Sequence, residues 1–129
     1  MLSSEFLNVE LFALLVVVHL VADWIFQSHP AALKKTTNKV VRFNHCLIYA
    51  TISVLLILIL PAGLRVIDVG FIWCLLFMSH LLIDDRRIVK WLLIQKKMAE
   101  QDIRDNVWLV IMLDQILHLI VLLIIALIV

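Results

Sequence analysis

Nine residues in this chain could share one piece of chemistry. His19 and Asp23, His45 and Tyr49, His80 and Asp84, and Asp114 and His118 form four pairs, each spaced i, i+4, and Gln27 follows Asp23 by one more turn. On an α-helix that spacing puts both members on one face, about 5–6 Å apart at Cβ. Of the five histidines only His29 falls outside the pattern. Imidazole nitrogens and carboxylate oxygens together suit zinc, iron or manganese. The set contains no thiolate, which speaks against a structural zinc of the finger kind. His19, Asp23, His80, Asp84, Asp114 and His118 are the expected ligands, enough for one or two ions, with zinc the first choice. His45 is a further ligand or a general acid/base, and Tyr49 a candidate proton donor or a packing tyrosine. Two ions at such a centre can activate a water and stabilise a leaving oxygen.

These residues interrupt strongly apolar sequence. Of 129 residues, 64% are hydrophobic, and the mean hydropathy is +1.10. A soluble domain of this size cannot bury so much apolar surface; lipid can accept it. Only two glycines and two prolines interrupt the chain, and the alternating short segments of a membrane β-barrel are absent. Helices are therefore the expected spanning elements. Four apolar segments are read at about 9–26, 45–60, 69–84 and 107–129, the second closing at Pro61 and Gly63. The third is short against the roughly 20 residues a span asks for. Residues 86–106 are charged but carry Ile88, Val89, Trp91, Leu92 and Leu93, a pattern that fits a short helix in the membrane interface. The fold class expected is all-α: one domain over 1–129, a four-transmembrane-helix bundle with that interfacial helix between helices 3 and 4. The N-terminus does not read as a cleaved signal, since Glu5 and Glu10 replace a basic region. Cys46 and Cys74 are read as free thiols.

Charge distribution gives an orientation. Lys34, Lys35, Lys39 and Arg42 lie in the first loop, and Arg86, Arg87, Lys90, Lys96, Lys97 and Arg104 in the third. The opposite side has only Arg65. Basic loops stay cytoplasmic, so the expectation is a multi-pass inner-membrane protein with both termini on the non-cytoplasmic side. Because chain direction alternates, all four polar pairs then fall in the cytoplasmic half of the bilayer. Ionisable groups at such depth cost about 2.5–3.5 kcal/mol each on insertion scales and mark function by default. Trp24, Trp91 and Trp108 lie near the boundaries, as interfacial anchors do. Gln27 and Gln115 either orient ligands or bond between helices.

Three readings are open. The first is a metal-dependent hydrolase acting on an ester or phosphoester of an amphiphilic, anionic substrate in the cytoplasmic leaflet, docked under the basic loops. The second is a small proton- or ion-coupled transporter or a subunit of one. The third is a non-catalytic scaffold held by a His/Asp network. The aliphatic far halves of the segments speak against a path through the membrane. No nucleic-acid partner is expected, and the sequence does not give the oligomeric state.

The string His19-Leu-Val-Ala-Asp23-Trp-Ile-Phe-Gln27, then Lys34-Lys35, His45-x-x-x-Tyr49, Ser79-His80-Leu-Leu-Ile-Asp84 and Asp114-Gln115-Ile-Leu-His118 resembles the DUF3307 family of small bacterial membrane proteins. The likeness runs over nearly the whole chain. It implies a bacterial or phage-related inner-membrane protein with this polar set as its hallmark, and it implies no particular activity. Where the resemblance leads one to expect a helix with a lysine after Asp84, Arg86, Arg87 and Lys90 stand here.

Overall fold

The computed structural model describes residues 4–28, 32, 34–59 and 64–129. His29, Pro61 and Gly63 lie outside the described residues. Within them the chain folds as helices. Helix α1 spans Ser4–Leu20 and runs on into a π-helical turn, Val21–Ile25. Helix α2 spans Lys39–Ile59, α3 Val66–Ile83, α4 Arg87–Gln95, α5 Glu100–Asp105 and α6 Val107–Ile128. Four elements among the described residues are long and apolar enough to cross a membrane: Asn8–Ile25, Lys39–Ile59, Val66–Ile83 and Val107–Ile128.

Two boundaries differ from the hydropathy reading for local reasons. Helix α2 begins six residues earlier than expected because Asn38 caps it: its side-chain oxygen accepts from the backbone N–H of Val40 and Val41 at 3.0 and 3.2 Å. Its first turn carries Lys39 and Arg42, so an apolar window overlooks it. The interfacial segment is two helices rather than one. Lys97 adopts φ 61, a left-handed conformation that ends a helix, and α5 starts again three residues later.

The spanning helices pack in a ring, α1 against α2, α2 against α3, α3 against α6 and α6 against α1. One end of the ring is dry. Leu11 and Leu15 of α1, Ile57 of α2, Ile72 and Leu76 of α3, and Leu122 and Ile125 of α6 fill it as one apolar cluster. The outward faces carry Val17, Leu55, Leu58, Phe71, Met78, Ile120, Ile124 and Leu127, all exposed. A soluble protein seldom shows so large a continuous apolar surface; a bilayer would cover it. At the other end Val89 and Leu93 of α4 and Ile103 of α5 pack on Val110 of α6. The short helices thus lie against the basic-loop end of the bundle, leaving Ile88, Trp91 and Ile94 exposed as an interfacial helix would.

Candidate metal centre

The basic-loop end of the ring is polar inside. His19, Asp23, His45, His80, Asp84, Asp114 and His118 are all buried, one or two from each of the four packed elements. The π-helical turn serves this placement. Widening the helix at Val21–Ile25 changes the register of α1, and both Ala22 and Asp23 come to be buried within that turn while Trp24 faces out.

The closest grouping has four donor atoms. His45 Nε2 lies 3.0 Å from His80 Nε2 and 3.0 Å from Asp23 Oδ1. His80 Nε2 is 3.6 Å from the same Asp23 oxygen. Asp84 Oδ2 stands on the shared edge, 3.3 Å from His45 Nε2 and 3.4 Å from His80 Nε2. The atoms thus form two triangles with a common His45–His80 edge. For either triangle the point equidistant from its corners is about 1.9 Å from each, so an ion slightly out of the plane would meet the roughly 2.0–2.2 Å bonds zinc makes to imidazole and carboxylate. Two imidazole nitrogens 3.0 Å apart also need a proton or a cation between their lone pairs.

His118 approaches from the other side. Its Nδ1 donates to the Asp114 carbonyl at 2.9 Å, which fixes the tautomer and leaves the Nε2 lone pair free. Among the described residues that Nε2 is buried without a hydrogen bond, 4.0 Å from Asp84 Oδ1. Among the described residues Asp23 Oδ1, both Asp84 oxygens and Asp114 Oδ1 are likewise buried without one, although Lys35 pairs electrostatically with Asp84 Oδ2 and Asp23 Oδ1. Buried acceptors left so are uncommon and ask for an explanation; a ligated ion is one. His80, Asp84 and His118 form a second grouping of possible ligands beside Asp23, His45 and His80.

The expected six ligands therefore divide. Asp23, His80, Asp84 and His118 converge. His45, read as a further ligand or a general acid/base, is at the centre, because the early start of α2 carries it inside the helix instead of at its first residue. His19 is beside the set, with both ring nitrogens engaged: Nε2 with Gln115 Oε1 at 3.2 Å and Nδ1 with the Tyr49 hydroxyl at 2.8 Å. The amide oxygen can only accept, so Nε2 carries the proton and the neutral ring accepts from Tyr49 at Nδ1. Gln115 in turn donates to Asp23 Oδ2 at 3.5 Å. Tyr49, fully buried, stacks on His80 with centroids 3.8 Å apart. Its hydroxyl is spent on His19, so it holds two histidines in place. Asp114 stands apart from both groupings and lines a cleft of about 370 Å³ with Asp23, Trp24, Gln27, Lys35, Arg86, Ile111 and Gln115. Lys35 and Arg86 of the basic loops line this cleft; Lys34 is exposed and not part of the lining.

Lys35 is the residue that sequence reasoning missed as part of the centre. Read as a loop charge, it is only 4% exposed. Its Nζ lies 3.1 Å from Asp84 Oδ2, 3.5 Å from Asp23 Oδ1 and 3.5 Å from His45 Nε2. Burial alone would lower its pKa, but the Asp84 and Asp23 carboxylates outweigh it and hold the ammonium charged above its ordinary value of 10.5. Arg42 pins this loop, reaching the Lys35 carbonyl at 3.5 Å and Asp85 at 3.2 Å. A signal existed: three buried aspartates require nearby positive charge, and the first basic loop was the nearest source.

No curated protein and no solved structure matches the chain. A family model does: "Protein of unknown function (DUF3307)" matches residues 11–129, and the chain belongs to that family.

Proposed function

We propose that this protein binds a divalent transition metal inside the membrane, zinc first among the choices, and uses it to hydrolyse an ester or phosphoester of an amphiphilic substrate. The observation that carries the reading is the His45, His80, Asp23 and Asp84 donor set, whose spacings suit an ion and in which Asp23 Oδ1 and both Asp84 oxygens have no hydrogen bond among the described residues. When bound, the ion supplies Lewis acidity to a carbonyl or phosphoryl oxygen and to a water. His118 offers the remaining free lone pair. Asp114 lines the adjoining cleft with an unbonded oxygen and is placed to take a proton from water. The Tyr49–His19–Gln115 chain orients Asp23.

One observation favours a second reading. Lys35 already places a positive charge against Asp23 and Asp84, as a purely structural network would. Elemental mass spectrometry on protein purified without chelators separates the two. Near-stoichiometric zinc, iron or manganese is expected, and its absence would sink the metal reading in favour of the network. Transport is the weakest reading, because the apolar cluster from Leu11 to Ile125 fills the far end of the ring.

For orientation, the proposal puts the basic-loop end in the cytoplasm of a bacterial cell and both termini outside it, since ten of the eleven Lys and Arg lie in loops one and three. A phosphatase reporter fused after Val129 should be active and a cytoplasm-dependent reporter silent; the reverse pattern would overturn the orientation.

A further inference from the structure

The cleft beside the centre has features that binding an ion does not use. Arg86 joins α3 to α4 with φ 57 and ψ 8, a left-handed conformation that costs any non-glycine residue and persists where the surroundings enforce it. Its Nε is buried and makes no hydrogen bond among the described residues, and the same is true of the Gln27 amide nitrogen. Both residues line the cleft. Unlike Lys35, whose charge is taken up by Asp84 and Asp23, these donors have no acceptor among the described residues. The opposite rim is apolar: Trp24 is 66% exposed and Ile111 is 39% exposed. They stand on the π-helical turn that continues α1 and on the second turn of α6, and α1 packs on α6, so the cleft opens on the flank of the bundle where lipid would lie.

We infer that this cleft binds the phosphate of a membrane amphiphile, with Arg86 and Gln27 donating to the phosphate oxygens while the hydrocarbon chains leave between Trp24 and Ile111. A guanidinium edge and an amide present planar donors suited to phosphate oxygens, and the aromatic rim sits where a headgroup meets its chains. The inference rests on the hydrolase reading for its purpose, but the binding step needs no metal.

The test is titration calorimetry on chelator-stripped protein in detergent, with dihexanoyl phosphatidate, dihexanoyl phosphatidylcholine and inorganic phosphate as probes. Phosphatidate should bind well above the other two. The decisive variant is Arg86→Gly. Glycine accepts φ 57 without strain, so R86G should unfold at the same temperature as wild type or higher, yet bind phosphatidate roughly tenfold or more weakly, as loss of a charged hydrogen bond implies. Gln27→Ala should weaken it by a smaller factor. Unchanged phosphatidate affinity in R86G would overturn the assignment. Equal binding of inorganic phosphate would overturn the lipid source, and equal binding of phosphatidylcholine the role of the exposed anionic phosphate. In protein purified without chelators the metal content of R86G should match wild type; absence of metal from wild type so purified would count against the hydrolase reading and leave this one standing.

Discussion

His80→Ala should yield a folded helical bundle that no longer retains metal. His80 is the corner both ligand groupings share, and its Nε2 lies within 3.0–3.6 Å of His45, Asp84 and Asp23 donors. Residues that merely orient a ligand commonly change metal affinity 10–100-fold. Removing a ligand should cost about a hundredfold or more, enough to strip the ion during purification. The stability cost should be modest, roughly 1–3 kcal/mol, because the lost packing is one stacked ring against Tyr49 while Lys35 still neutralises Asp23 and Asp84. His19→Ala supplies the contrast. It removes the group between Tyr49 and Gln115 but no ligand, so affinity should fall within the 10–100-fold range and metal should remain detectable. Circular dichroism with elemental analysis reads both. Metal retained at the wild-type ratio in His80→Ala would defeat the shared-corner geometry.

What the sequence made legible follows from period and cost. The i, i+4 pairs predicted polar stripes that had to face inward, since charge turned toward lipid is expensive, and all seven His and Asp side chains are indeed buried within the ring. Their division of labour was not legible. Whether an imidazole ligates or bonds a neighbour depends on side chains from other helices, here Gln115 and Tyr49 around His19, and spacing along one helix carries no record of them. The π-helical turn at Val21–Ile25 was equally hidden, because Val-Ala-Asp-Trp-Ile has no glycine or proline to mark it. Lys35 was hidden because a loop lysine at a membrane boundary has a sufficient explanation in topology. Arg86 was hidden for a related reason: a positive φ is expected at glycine or asparagine, not at arginine.

Lys35→Met should separate a metal centre from a structural network in a single protein. Methionine keeps a long, unbranched, flexible stem and removes only the charge. Without metal, the Asp23 and Asp84 carboxylates lose their ammonium partner while remaining almost wholly buried. Removing one partner of a buried ion pair costs about 3–5 kcal/mol, because the other is left uncompensated. In chelator the variant should therefore be less stable than wild type by about that amount. Zinc should then reverse the loss. An ion bound only by the folded state contributes about 2.7 kcal/mol at a hundred times its dissociation constant and about 4.1 kcal/mol at a thousand times, which matches the deficit. The variant should also bind zinc more tightly than wild type, since Nζ no longer competes for Asp84 Oδ2 and Asp23 Oδ1. Denaturant unfolding in detergent, with chelator and then with zinc, measures each quantity. A destabilised variant that zinc does not restore would make Lys35 the natural counter-charge of the aspartates and the cluster a structural network. A variant as stable as wild type in chelator would show that Lys35 does not compensate them.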